Sequence, residues 1–301
     1  MGRRRQLRHE TKGAVRIPSG LIAAQSRILY VPVTKAASTS LKMLLSKVEE
    51  TYVEPTLDFT PYSTAFAADY VHSPRVHGLL HYRDLSFSDK CTALKSDDWW
   101  RIAVIRDPYE RLVSTWQNRV IMLGAALPRE IRVHLNFCFD RSGHLDVAKS
   151  FHRFVTTLAA ERHVFFIDDH FRPQTRILRH PNIDFTHIAR LEIPGHLEEL
   201  VNAIRIRTNR DVELPRFNEG LGIHAEDVVT REVAEIIEQI YHDDFEALGY
   251  ARRTFEPTVE PRNFSLEMSR LVTFLHDIVA DRESRRGMRY GLRQIGMRLA
   301  S

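Results

Sequence analysis

The sequence predicts an α/β fold: a parallel sheet with helices on both faces, forming a single main domain, with an extra helical segment at the C-terminus. Three observations carry this reading. Short apolar runs, "ILYVPV", Arg101 to Ile105 and the strand in "DFTHIARLE", are each followed by a stretch of helical periodicity. Strands that alternate with helices in this way belong to a sheet buried on both sides. And 301 residues, 43% of them hydrophobic, suffice to bury one large core.

Charge and composition divide the chain into three. Residues 1–20 carry Arg3, Arg4, Arg5, Arg8, Lys12 and Arg16 against Glu10 alone, a tail of +5 in a chain of net +4. A short run of this kind reads as a solvated, disordered basic tail. The main domain is expected over 21–250. An Arg-rich helical extension is expected over 251–301, set off by "EPTVEP". Outside the tail the net charge is −1, which argues against a nucleic-acid-binding body. The basic ends could still touch an anionic membrane surface. Two cysteines, Cys91 and Cys138, give neither a disulfide framework nor zinc-ligand spacing, and no apolar run has transmembrane length. The N-terminus lacks the apolar core of a signal peptide, since "GAVRIPSGLIAAQSR" is broken by Arg16, Pro18 and Gly20. The expected setting is a reducing cytoplasm.

The first strand empties into "TKAASTS". A helix start leaves backbone N–H groups without partners and carries partial positive charge, so it suits an anion. Lys35 adds a full cation, Ser38, Thr39 and Ser40 add hydroxyls, and Ser38 or Thr39 is the expected N-cap ahead of Leu41, Leu44 and Leu45. The arrangement is P-loop-like without the glycines of G-x-x-x-x-G-K-[ST]. Its bland alternative is a capped α/β turn with an exposed lysine.

A loop-rich region, 51–98, follows, with His72, His77 and His81 in "YVHSPRVHGLLHYRDL". Then "VIRDPYERLVS" repeats the plan of strand, turn and helix, with Pro108 suited to a first helical turn. Arg106 stands at the C-terminal end of its strand, where open α/β sheets bind ligands, and its planar fork suits phosphate. Ser114 lies two helical turns further on and can face the same crevice. Asp107 and Glu110 are expected to serve as helix-start charges or as partners of Arg111. Two such junctions suit a ligand with two separated phosphates. Downstream, "FHRFVTTLAA" reads as a helix, and "DVVTREVAEIIEQIYHDDFEALGY" as one strongly periodic helix closed by Gly249.

"VPVTKAASTSLK" followed by "VIRDPYERLVS" resembles the two nucleotide-binding signatures of the carbohydrate sulfotransferases of the family-2 type, in its bacterial-like branch. These enzymes use 3′-phosphoadenosine-5′-phosphosulfate (PAPS). "DDHFRPQT" is similar to the family's Asp-x-His-Trp-Arg-Pro-Gln segment, "IARLE" to its strand ending in Arg-x-Glu, and "YHDDFEALGY" to its closing Tyr-x-x-Asp-Phe-x-x-x-Gly-Tyr. The five matches span about 27–250. By this resemblance, Lys35, Ala36, Ala37, Ser38, Thr39 and Ser40 wrap the 5′-phosphosulfate, while Arg106 and Ser114 hold the 3′-phosphate. The chain departs from relatives in Ala36 and Ala37, where glycine is common; alanine serves if the loop keeps negative φ. It departs again in Phe171, where tryptophan is common.

The resemblance implies transfer of a sulfuryl group to a hydroxyl of a carbohydrate or glycolipid. In an in-line displacement, Lys35 neutralises charge on the leaving phosphate and no metal is needed. A base is required for the hydroxyl. "VHGLLHYRDL" resembles the uronosyl 2-O-type enzymes and favours His77; "YVHSP" resembles bacterial relatives and favours His72. His170 reads as structural or acceptor-side. A P-loop kinase or NTPase is the rival enzyme, but Gly-Lys-[ST] and a strand-end Asp for magnesium are missing. A non-catalytic binder of sulfated glycans is the second rival, and the paired junctions weigh against it.

Overall fold

A computed structural model describes residues 15–54, 71–123, 127–215 and 220–281. Five strands form one sheet in the order β3-β1-β2-β4-β5: β1 Leu21–Ala23, β2 Ile28–Tyr30, β3 Leu80–His81, β4 Trp100–Ile105 and β5 His187–Arg190. The centre is parallel as expected, with Tyr30 opposite Ile102 and Ile105 opposite Arg190. The edge is not. β1 runs antiparallel to both β2 and β3. The short connection Ala24–Arg27 explains this, because four residues can close a hairpin but cannot cross over a sheet. In β2 and in Arg101–Ile105 every residue is buried. Successive strand residues point to opposite faces, so both faces of the sheet are covered.

The helices that place the site are α1 Ser38–Val48, α2 Phe87–Lys95, α3 Pro108–Thr115, α4 Val147–Ala160, α5 Gln174–Leu178, α6 His196–Thr208, α7 Arg231–Ile240 and α8 His242–Leu248. α2 packs on β2 and β4, and α6 on β5. α3 passes into a π-helical turn, Trp116–Ile121, whose Trp116 is fully buried against Phe151 of α4. The long periodic segment near 226–249 is three helical pieces rather than one. Thr230, in an extended conformation, accepts the Val233 N–H and restarts the helix, and Tyr241 leaves helical geometry to send its hydroxyl to the Phe171 carbonyl at 2.9 Å. Gly249 closes the last piece with φ 65, as expected of a C′ glycine.

The N-terminal boundary differs from the expected one. Residues 1–14 lie outside the described residues, but Ile17 is 2% exposed and belongs to the core. The tail therefore ends before Ile17, because a buried isoleucine anchors the strand that follows. At the other end, residues 266–281 are helical and docked on the body. Val272 is fully buried, Ser269 Oγ accepts the Leu145 N–H at 2.8 Å, and His276 Nε2 lies 2.7 Å from the Val120 carbonyl. Residues 282–301 lie outside the described residues. Among the described residues no helix is long and apolar enough to cross a membrane.

Candidate active site

The loop between β2 and α1 is strained. Lys35 has φ 64 and Ala37 has φ 52. Left-handed backbone costs an L-residue roughly 1–2 kcal/mol, so the negative φ expected for an alanine loop does not hold at position 37. Ala36, between them, is fully buried. Such twists turn successive N–H groups toward one point and build an anion-binding concavity. The N-cap is Ala37, not Ser38 or Thr39, and it offers no side-chain cap. The first helical bond is Leu41 N–H to the Ala37 carbonyl at 3.0 Å. The N–H groups ahead of it, with the hydroxyls of Ser38, Thr39 and Ser40, therefore have no acceptor within the helix.

The second junction is built differently. Asp107 caps α3 by accepting the Glu110 N–H at 3.0 Å, and Pro108 fills the first turn. Arg106 reaches the Lys35 carbonyl at 3.4 Å and Glu110 at 3.6 Å, so the two junctions meet at this guanidinium. Its backbone is clamped by fully buried Gln174, whose amide accepts the Arg106 N–H at 3.0 Å and donates to the Arg106 carbonyl at 2.8 Å. Ser114 is half-buried on the same helix, two turns on.

Arg111 does not pair with Asp107 or Glu110. It is buried and donates to carbonyls of Thr34 (3.1 Å), Arg172 (3.0 Å), Asp169 (3.0 Å) and His170 (3.4 Å). Thr34 Oγ1 also donates to the Asp169 carbonyl at 3.0 Å. One guanidinium thus fastens the anion loop to the 169–172 turn. Asp107 and Glu110 turn instead to Arg253, at 3.7 and 3.8 Å.

The downstream motifs hold one another. Asp244, fully buried, accepts from the N–H of Gln174 and of Thr175 and from the Thr175 hydroxyl, all at 2.8 Å. Glu192 accepts the Asp107 N–H at 3.0 Å. Arg190 donates to the Leu248 carbonyl at 2.5 Å and stacks on Tyr250. Phe171 keeps the apolar role expected of it, fully buried against Phe154 and Phe165.

Electrostatics single out Lys35. It is half-buried, has no acidic partner among the described residues, and sits near Arg106 and Arg119. Burial first, then those two charges, hold its ammonium down at about 8. Lys42, one turn into α1, is buried, without an acidic partner among the described residues, and lowered to about 8 by burial. Three cations converging with no counter-charge on the first of them make a place for an anion.

The histidines differ from one another. His77 is fully buried; its Nδ1 accepts the Leu79 N–H at 3.0 Å, and burial lowers it to about 4. His72 Nδ1 faces the Lys42 ammonium at 3.0 Å and Nε2 lies 3.5 Å from Thr39 Oγ1. An ammonium only donates, so Nδ1 of His72 accepts and Nε2 carries the proton. His170 Nδ1 lies 2.7 Å from Asp168, and Asp168 also pairs with Arg119 at 2.5 Å. Sequence reasoning missed Arg111, Gln174, Lys42 and Arg119. Gln174 lay within a quoted motif, whereas Arg119 in "WQNRVI" carries no local signal and is placed by the π-helical turn.

The sequence model of the sulfotransferase family matches residues 19–251, a span that holds both junctions, the 168–175 turn and the three helical pieces that close on Gly249. No curated protein and no solved structure matches the chain. With well over half of the chain matched, and the matched part containing both junctions, the chain belongs to the sulfotransferase family, of the family-2 type.

Proposed function

We propose that the chain transfers a sulfuryl group from PAPS to a hydroxyl of a carbohydrate or glycolipid by in-line displacement. The observation that carries this is Lys35: a half-buried cation with no acidic partner among the described residues, flanked by Arg106 and Arg119, at the mouth of a strained helix-start loop. Backbone strain and an uncompensated charge both cost stability, and a bound anion offsets both. Lys35 and the N–H groups and hydroxyls of Ala36, Ala37, Ser38, Thr39 and Ser40 surround the 5′-phosphosulfate. Arg106 and Ser114 take the 3′-phosphate. The 3.4 Å contact of the Arg106 guanidinium with the Lys35 carbonyl supports a single crevice for both anions.

In the displacement, negative charge grows on the oxygen that bridges sulfur and phosphorus. Lys35, preorganised beside it, stabilises that charge more in the transition state than in the ground state. The carbohydrate or glycolipid acceptor rests on the family resemblance.

Binding and turnover test the reading separately. Calorimetry should show adenosine 3′,5′-bisphosphate binding without magnesium and more tightly than adenosine 5′-monophosphate. Incubating the protein with labelled PAPS and an extract of the producing cell should then yield a labelled glycan or glycolipid. Magnesium-dependent stabilisation by ATP with no response to the bisphosphate would overturn the proposal.

A further inference from the structure

We infer that His170, oriented by Asp168, is the base that takes the proton from the acceptor hydroxyl. This rests on the sulfuryl-transfer reading above.

Asp168 Oδ1 lies 2.7 Å from His170 Nδ1 and also accepts the His170 backbone N–H at 2.9 Å. The carboxylate is ionised: burial pushes it up, but the hydrogen bond from His170 and the charge of Arg119 outweigh that and hold it well below the usual range. An ionised carboxylate only accepts, so Nδ1 carries the hydrogen and Nε2 keeps its lone pair. Nε2 of His170 has no partner among the described residues, and the side chain is 27% exposed, open enough for a hydroxyl to approach. His77 and His72 present the opposite tautomer. Each uses Nδ1 as acceptor and leaves Nε2 as a donor.

His170 is also fixed with respect to Lys35. Arg111 donates to the carbonyls of Thr34, Asp169 and His170, and Thr115 Oγ1 donates to the His170 carbonyl at 3.2 Å. The loop that opens on Lys35 and the backbone that carries His170 are therefore one body. A base held by an orienting carboxylate beside a charge-stabilising group is the arrangement that activates a hydroxyl nucleophile.

The step balances. The acceptor oxygen forms a bond to sulfur while the bond from sulfur to the bridging phosphate oxygen breaks, its electron pair staying with the nucleotide. The hydroxyl proton passes to Nε2, and the imidazolium, stabilised by Asp168, later releases it to water. The charges that face His170 are Asp168, Arg119, Lys35 and the ring of His72. Burial lowers its basicity first, and Arg119 and Lys35 lower it further against Asp168. A bound anion on Lys35 compensates that charge, so the base strengthens when the donor is in place.

Three measurements test this. In the unliganded wild-type protein, ¹⁵N NMR should show His170 protonated on Nδ1 and bare on Nε2, and adenosine 3′,5′-bisphosphate should raise its pKa. Transfer from PAPS is then compared for simple glycosides and for 4-nitrophenol, assayed where the phenol is already ionised and needs no base. His170→Gln should lose about 10²–10⁴ with glycosides and stay within about threefold with the phenolate. Asp168→Asn should show the same selectivity with a smaller loss, and both variants should bind the bisphosphate as wild type does. The opposite tautomer, or equal losses for the two acceptors with bisphosphate binding intact, would overturn the base. A wild-type protein that neither binds the bisphosphate nor transfers sulfuryl to either acceptor would overturn the reaction itself.

Discussion

The two strand-to-helix junctions solve the same local problem in opposite ways. At 105–108 the protein satisfies itself: Asp107 caps α3, Pro108 removes one orphan donor, and Glu110 and Arg253 balance the charges. At 34–38 the loop carbonyls are held, Thr34 by Arg111 and Lys35 by Arg106, but the helix start is left without a cap. The cap position is an alanine in left-handed backbone, and among the described residues the cation has no acid and the helix-start N–H groups have no side chain to receive them. On the proposed reading, the bound anion is what compensates that junction. The self-satisfied junction then offers one side chain, Arg106, to the ligand, and the other offers its helix-start N–H groups.

That contrast is broken most directly at Lys35. Lys35→Ala should fold normally, bind the bisphosphate within about tenfold, and lower kcat by roughly 10²–10³, the scale of losing one preorganised charge-stabilising group. Lys35→Arg should recover part of the loss, since a planar fork fits a compact ammonium site poorly. Single-turnover transfer measures it. A Lys35→Ala rate close to wild type would reduce the loop to a helix start.

Arg106→Ala probes the other junction. Its expected effect is on discrimination: preference for the 3′-phosphorylated over the unphosphorylated nucleotide should fall about 10- to 100-fold, the worth of one charge-assisted contact of about 1.5–3 kcal/mol. Competition binding with adenosine 5′-monophosphate measures this. Equal weakening of both nucleotides would mean that Arg106 only ties α3 to the first loop through the Lys35 carbonyl.

The junctions were legible in the sequence because each is local: strand, loop and helix lie within about twenty residues, and helix-start chemistry depends on neighbours along the chain. The parallel centre of the sheet was legible for the same reason. The antiparallel edge was not, since "GLIAAQSR" reads as a weak segment until Ile17, Leu21 and Ile22 are seen to share a core. Nor was the clamp at Arg111, whose acceptors are four carbonyls and so leave no trace in residue identity. The histidines show the limit most sharply. Sequence placed His72 and His77 near the second junction, but which ring nitrogen is bare depends on Leu79, Lys42 and Asp168, and only the fold brings those together.

The pH dependence sharpens the comparison next. Lys35 is held at about 8 in the folded protein, well below its ordinary 10.5. Below pH 8 it is charged and ready for an anion; above it, binding must first restore a proton. Bisphosphate affinity should therefore fall as pH rises through about 8, by no more than tenfold per unit for this one proton. The unliganded protein should show the reverse slope from this group. Between about 8 and 10.5 the unfolded chain holds the Lys35 proton and the folded chain does not, so folding stability gains with pH. Calorimetry in buffers of different ionisation heat should detect proton uptake on binding above pH 8, and Lys35→Arg should abolish this residue's share. Affinity flat from pH 7 to 9.5 would place the ammonium away from the ligand.

The smallest effect separates the junctions by sign. Ala37 sits at φ 52, where glycine avoids the steric cost of a Cβ, of roughly 1–2 kcal/mol, but adds freedom to the unfolded chain worth about 0.4–1 kcal/mol. Ala37→Gly should therefore leave stability unchanged or raise it by up to about 1.6 kcal/mol, although glycine inside an ordinary helix turn lowers it. Asp107→Ala, at the equivalent position of the other junction, removes a cap that accepts a backbone N–H and should cost about 0.5–2 kcal/mol. Denaturant melts of both variants, each with and without the bisphosphate, make the test. If the strain at Ala37 is released when the anion binds, relieving it beforehand leaves less for the ligand to gain, so the bisphosphate should stabilise Ala37→Gly by less than it stabilises wild type. Asp107→Ala, whose cap faces no ligand, should show an undiminished increment. A destabilised Ala37→Gly with an undiminished ligand increment would show that the left-handed turn stores nothing for binding.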